Sequence, residues 1–143
     1  MIDASTRRRR TEEYRHRLDD PDRLEPLRRL ALLDMPPVPA FERLTRIFTI
    51  LLGVPIALVT LVEDDRQFFA GTVGLAEPWA SRRQTLLAHS FCQHVVAAGA
   101  PLVIADARAH PLVHDNPAIT DLGIVAYAGF PLIAPDGHVL GSL

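Results

Sequence analysis

The stretch Ile56-Ala57-Leu58-Val59-Thr60-Leu61-Val62 constrains the fold more than any other part of the chain. It is short, apolar and rich in β-branched residues, so it reads as a central strand buried on both faces. Glu63-Asp64-Asp65-Arg66 is a polar turn, and Gln67–Val73 returns as a second strand, which makes a hairpin.

Two helices precede the hairpin. Asp20 suits an N-cap and Pro21 the first helical position. Leu24, Leu27, Leu30, Ala31 and Leu33 then recur at helical spacing, until Pro36-Pro37 ends the run. Pro39 opens the next helix, in which Phe41, Leu44, Ile47, Phe48, Leu51 and Leu52 form one apolar face and Gly53 is placed as the C′ residue. After the hairpin, Leu86 to Ala98 predicts a third helix with Phe91, Val95 and Val96 inward and Gly99 as its stop. Leu102–Ala105 is a short strand. Asp106 to Thr120 reads as a long loop with room for one helical turn. Val125–Ala134 is a strand bent at Pro131. The Ala134-Pro135-Asp136-Gly137 turn leads into a last strand from His138 to Leu143. This order, α-α-β-β-α-β-loop-β-β, predicts an α+β domain on a mostly antiparallel sheet.

The 143 residues are one domain's worth of chain, and 48% apolar residues with 22% charged is a globular composition. Residues 18–143 form the expected domain; residues 1–17 are a polar, Arg-rich lead expected to be flexible. Arg7 to Arg10 invite a contact with nucleic acid or anionic lipid, against the plainer reading of a solvated charge run. The remainder carries a mild excess of acid, so nucleic acid is not the expected partner. No apolar run approaches the ~18 residues of a membrane span, and no apolar core follows the N-terminal charges as a secretory signal requires. A cytoplasmic location is expected.

All fifteen basic residues are arginine. A phosphate-binding loop, a protein kinase and Schiff-base chemistry each need a lysine, so all three are excluded within this chain. Cys92 stands alone, which excludes an internal disulfide and a Cys-rich zinc site. In Ser90-Phe91-Cys92-Gln93-His94 it is a candidate nucleophile or redox thiol, but positions i and i+2 of a helix point apart, so Cys92 and His94 do not pair there. His110 and His114 stand four apart with Pro111 between them, and no Glu completes an H-E-x-x-H pattern; no metal is expected. Asp19-Asp20 fits a helix cap and Asp64-Asp65 a hairpin turn. Phe68, Phe69, Trp79, Phe91, Tyr127 and Phe130 are candidates to line a small-molecule pocket, or else ordinary core.

Several blocks together resemble the GAF family of bacterial signalling domains. They are Arg29-Leu30-Ala31-Leu32-Leu33-Asp34-Met35-Pro36-Pro37, Phe41-Glu42-Arg43-Leu44-Thr45-Arg46 and Val54-Pro55 running into the first strand. Asp65-Arg66-Gln67-Phe68-Phe69 and Ser90-Phe91-Cys92-Gln93-His94 follow. Asp106-Ala107-Arg108, Asn116-Pro117, Tyr127-Ala128-Gly129-Phe130-Pro131-Leu132 and Asp136-Gly137-His138-Val139-Leu140-Gly141-Ser142-Leu143 complete them. The resemblance implies a central antiparallel sheet of five to six strands, with helices on one face and a ligand pocket on the other. It implies a non-catalytic sensory or regulatory module that binds a small ligand, dimerises, or both. Such a module controls an output domain absent from this chain: a histidine kinase, a diguanylate cyclase or a serine/threonine phosphatase. The candidate pocket residues are Phe69, Trp79, Phe91, Cys92, His94, Tyr127 and Phe130.

The chain departs from the family's special cases. The N-K-x-x-F-D-E signature of cyclic-nucleotide binders is absent, and Cys92 lacks the surroundings of a tetrapyrrole-attaching cysteine. Methionine-sulfoxide-reducing members use more than one Cys. A Cys92 thiol switch or a reductase-like enzyme is one alternative, and a ligand-free dimerisation module is the other. The family pattern runs past Gly141-Ser142-Leu143 into a C-terminal helix, so the domain is expected to be C-terminally incomplete. Reduced stability or self-association is then expected of the isolated chain.

Overall fold

The β1–β2 hairpin (Ala57–Val62 and Arg66–Val73) sits at the middle of a five-stranded antiparallel sheet in a computed structural model that describes residues 4–143. The strand order is β3-β2-β1-β7-β6, with β3 at Gln84–Leu86, β6 at Pro131–Ile133 and β7 at Val139–Ser142. β4 (Leu102–Ile104) and β5 (Tyr127–Gly129) pair as a separate two-stranded ladder. The single strand expected over Val125–Ala134 is therefore two. Phe130 joins them, its backbone bonded both ways to Leu143 at 2.8 and 3.0 Å. The cause is a change of partner: β5 pairs with β4, whereas β6 pairs with β7.

One face of the sheet carries helices α2 (Pro21–Arg29) and α3 (Pro39–Leu52). Leu24 and Leu27 of α2 pack with Val59, Leu61, Phe68, Ala70 and Leu140 from the sheet. Asp20 caps α2 through Asp22 N at 2.9 Å. The helix stops at Arg29, four residues short of the expected Leu33, because Ala31 turns to φ +52°. Asp34, also at positive φ, then receives both amino groups of Arg66 at 2.7 and 2.8 Å, which ties the linker to the hairpin turn.

Gly53 ends α3 with φ +64°, as expected. Phe41 lies so close to β2 that a Cβ on Gly71 would stand 2.7 Å from the Phe41 Cβ. Only two of the six residues read as the apolar face of α3 turn inward. Phe41 and Phe48 do so, with Thr45 between them, whereas Leu44, Ile47, Leu51 and Leu52 remain exposed. Hydropathic spacing identifies an apolar stripe but not how wide a neighbour it meets.

The other face is covered by α5 (Cys92–Ala98) and by the segment from 105 to 126, which contains α6 (Ala118–Asp121). The third helix begins at Cys92, not Leu86. Residues before it form the short α4 (Trp79–Arg82), then β3 and a 3-10 turn at Leu87–His89, because Arg66–Phe68 of β2 offers a free edge to Gln84–Leu86. Gly99 ends α5 with φ +63°.

The Arg-rich lead also takes part in the fold. It is helical as α1 (Ala4–Leu18), with residues 1–3 outside the described residues. Arg8–Glu12 and Arg17–Glu13 pairs lie along it. Its C-terminal end is anchored: Leu18 is buried beside Val62, Cys92 and Val96, and Arg17 donates to the Ala97 carbonyl at 2.8 Å. Arg23 is buried under this junction and donates to the carbonyls of Val62 at 2.7 Å and Leu18 at 2.6 Å. A fork of fixed geometry thus joins α1, α2 and β1.

Candidate functional site

The sheet face under α5 is built in rungs, because directly opposed residues on adjacent strands point the same way. Ser142, Thr60 and Phe69 form one rung across β7, β1 and β2; Val62, Gln67 and Thr85 form the next across β1, β2 and β3. All but Phe69 and Val62 are polar, and all are buried. Gln67 donates to Thr85 Oγ1 at 2.8 Å. Thr60 Oγ1 and Gln67 Oε1 have no protein hydrogen-bond partner. Buried polar atoms in this state are uncommon in native folds.

Tyr127 reaches this face from β5. Its hydroxyl donates to Cys92 Sγ at 3.4 Å and lies 3.4 Å from Ser142 Oγ. The ring folds back along its own strand over Gly129; a Cβ there would stand 2.1 Å from the hydroxyl. Phe91 meets the ring edge-on, with centroids 5.4 Å apart. Burial, and then the neighbouring Cys92, push the Tyr127 phenol well above its ordinary range, so it is a permanent donor. Ile104, Ala107, Val113 and Ala118 pack around Phe91, and Asn116 Oδ1, just ahead of α6, accepts from Ala118 N at 2.8 Å. The long loop of the sequence is thus a cover with a core of its own.

His94 lies two residues beyond Cys92 along α5. Its Nδ1 is 2.5 Å from the Tyr14 hydroxyl of α1. Burial lowers the His94 pKa to about 4; His110 adds to the shift and Asp115 opposes it. The ring is therefore neutral at pH 7, and Tyr14, whose own phenol is pushed up by burial, donates to Nδ1. One of the hydrogen bonds joining α1 to α5 thus depends on a single proton.

The seven residues singled out from sequence separate into three groups. Phe91, Cys92 and Tyr127 are in mutual contact, with Phe69 on the sheet rung that holds Ser142 and His94 on the same helix. Trp79 belongs to a neighbouring cluster: it packs on His89, centroids 5.7 Å apart, with Arg82 over its ring, and His89 Nε2 meets Asp121 at 2.9 Å. Phe130 stands apart at 50% exposure. Sequence reading missed Thr60, Gln67, Ser142 and the His89–Asp121 pair. The polar interruption of an apolar strand at Thr60 was the available signal. No group of three or more metal-ligating side chains comes together among the described residues. No helix among them is long and apolar enough to cross a membrane.

A central antiparallel sheet with packed helices on one face and a loop-built cover over a polar centre on the other defines an α+β domain. The family model for the GAF domain matches residues 36–143, and the chain belongs to that family. A cyclic di-GMP phosphodiesterase of Pseudomonas aeruginosa, PA2567, is 34% identical over 115 residues, which are 80% of this chain and 19% of that protein. The chain thus spans about a fifth of that relative's length. Among solved structures it is similar to the GAF domain of a phosphoenolpyruvate-protein phosphotransferase from Coxiella burnetii, with TM-score 0.59 and 19% identity over 83% of this chain and 73% of that one. It is also similar to the free methionine-R-sulfoxide reductase of Neisseria meningitidis, with TM-score 0.52 and 20% identity over 71% of this chain and 57% of that one. These structural likenesses establish the fold. The family is one of regulatory and sensory modules, which supports a signalling role for this chain.

Proposed function

We propose that this chain is a non-catalytic, cytoplasmic sensing module that takes a small polar ligand against the sheet face at Thr60 and Gln67. The observation that carries the reading is the pair of buried, unpartnered acceptor atoms, Thr60 Oγ1 and Gln67 Oε1. They lie on the face that Tyr127, Phe91, Cys92 and α5 cover. A ligand with hydrogen-bond donors satisfies them, and the aromatic rings and Phe69 supply its apolar contacts. Ligand binding biases the position of α5, and through Tyr14–His94 that of α1, by population shift. The working unit is a homodimer that controls an output domain outside this chain. The Pseudomonas relative acts on cyclic di-GMP, which supports an output concerned with cyclic dinucleotides.

A Cys92 switch or a reductase has less support. The thiol is 6% exposed and already accepts from Tyr127, and the chain has no second cysteine to resolve an oxidised one. Native mass spectrometry of the purified chain, with a UV–visible spectrum of the same sample, tests the sensing reading. Retained mass or absorbance supports it, and Thr60→Val together with Gln67→Met should abolish the retention while leaving the melt within a few degrees. A protein that retains nothing, and whose melting temperature no compound in a polar metabolite panel raises, would point instead to the ligand-free dimerisation module.

A further inference from the structure

A cleft of about 210 Å³ opens where α1, α2, α5 and the turn between β6 and β7 meet. None of the polar-rung residues lines it. Arg23 lines it from beneath the α1–α2 junction at 3% exposure. Its two amino groups are committed to the carbonyls of Leu18, Val62 and, at 3.4 Å, Val139. Its Nε is buried and has no protein partner. Asp20, Asp64 and Asp19 act on this guanidinium only through space. A buried cation held by neutral carbonyls, with one donor left over, calls for an anionic acceptor beside it.

The cleft supplies the rest of an anion site. Arg17 stands at it, exposed, with one amino group on the Ala97 carbonyl and the other on Glu13 at 3.0 Å. An exposed i, i+4 pair is weak, so an incoming anion can replace Glu13 there. His138 adds an imidazole, whose Nδ1 lies 3.2 Å from Asp136 Oδ2. Gly99 and Gly137 leave the walls bare: a Cβ on Gly137 would meet nothing within 4 Å, and one on Gly99 only Val139 Cγ2 at 3.9 Å.

The opposing charges decide which anion fits. Asp20 lines the cleft, with its carboxylate accepting from Asp22 N. The negative end of α5 also lies here, although the Ala97 carbonyl is taken by Arg17 and that of Val95 by Gly99 N. A monoanion is balanced by the two guanidiniums, whereas a dianion meets Asp20 as well. The amides of Gly99, Gly137 and His138 are already donating, so no backbone nest of the phosphate-binding kind is available. Guanidinium side chains alone suit a planar carboxylate. The volume lies below the ~300–1,000 Å³ of sites for drug-sized ligands, which limits the acid to a small one.

We propose that this cleft binds a small monocarboxylic acid, its carboxylate between Arg17 and Arg23 and its carbon chain against Val96, Ala98 and Val139. The site is separate from the one proposed at Thr60 and Gln67 and does not depend on it. One carboxylate here bridges α1 to α2, so occupancy holds α1 on the domain.

An NMR titration of the 143-residue chain with sodium propionate tests it. Ionic strength is held fixed with sodium chloride, and both backbone amide and arginine Nε–H signals are followed. Saturable shifts are expected at Gly99, Gly137, His138 and the Arg23 Nε–H, with Thr60 and Gln67 unmoved. Ala98 is exposed in the last turn of α5, so Ala98→Glu brings a tethered carboxylate to the cleft without touching the core. It should weaken propionate binding about tenfold or more, whereas Ala98→Gln should leave it within about twofold. No saturable shift overturns the proposal. The same shifts with chloride alone mean an adventitious ion only and overturn it too, as does propionate binding that Ala98→Glu leaves unchanged. Inorganic phosphate that moves these signals at lower concentration than propionate would overturn the carboxylate class. Shifts centred on Thr60 and Gln67 would place the acid on the sheet face and remove the cleft as a site, leaving the sensing reading standing.

Discussion

Gly129 decides where Tyr127 lies. Its missing Cβ is the space through which the phenol passes to Cys92 and Ser142. Gly129→Ala should force the ring off its rotamer or move the strand, at about 1–3 kcal/mol. A urea midpoint within error of wild type would show that the ring has another place to go. Arg23 is the corresponding residue where α1, α2 and β1 meet. It is 3% exposed and holds two buried carbonyls with its two amino groups, without a carboxylate in contact. Arg23→Ala leaves those carbonyls without a donor and should cost on the order of 3 kcal/mol. Arg23→Lys should rescue only part of this, because an ammonium lacks the fork; full rescue in equilibrium unfolding would refute the clamp. Both residues are plain in the sequence, yet neither role is. A glycine in a short strand and an arginine in a helical stripe reveal nothing of the ring or the carbonyls that a distant segment brings to them.

The α1–α5 pair shows how a segment acquires structure from its neighbour. α1 is almost wholly polar, a composition that by itself makes a marginal helix. Tyr14, Arg17 and Leu18 hold its last turns to α5. Tyr14→Phe removes the donor to His94 and should speed amide exchange along Ala4–Leu18 more than in β1; uniform exchange would show that the bond does not anchor the helix. The contact should also respond to pH. The folded His94 pKa is about 4, below the ordinary value near 6.5. Between those values the unfolded chain binds the proton and the folded chain does not, so stability falls as pH drops from about 6.5 toward 4. The ceiling on the loss is about 3 kcal/mol. His94→Gln should flatten that part of the pH–stability curve, and a variant with the wild-type slope would assign the loss to other groups. The apolar strand and helix stripes were legible because each is a local period. The start of α5, the existence of β3 and the division at Phe130 were not, because each depends on which strand edge lies free beside it.

In the whole molecule the sheet separates two kinds of surface. One side packs α2 and part of α3 on an ordinary apolar core; the other encloses polar rungs beneath a cover with its own small core. If the working unit is the proposed homodimer, the melting temperature should rise with protein concentration, as mass action requires of a dimer more stable than its monomers. A melt independent of concentration over two orders of magnitude would place all the stability in one chain.

The sequence by itself determined the hairpin, the helix stops at Gly53 and Gly99, the α+β class and the family, since turn chemistry, hydropathic period and motif order are written in adjacent residues. It also brought Phe91, Cys92 and Tyr127 forward as candidates. Only the tertiary structure decided that these three meet, that Trp79 and Phe130 stand elsewhere, that Thr60 Oγ1 and Gln67 Oε1 are buried without partners, and that most of α3's apolar face stays open. Those outcomes depend on strand register and on how far each neighbouring layer extends. Both are set by contacts between residues far apart in the chain, whose free energy no local window contains.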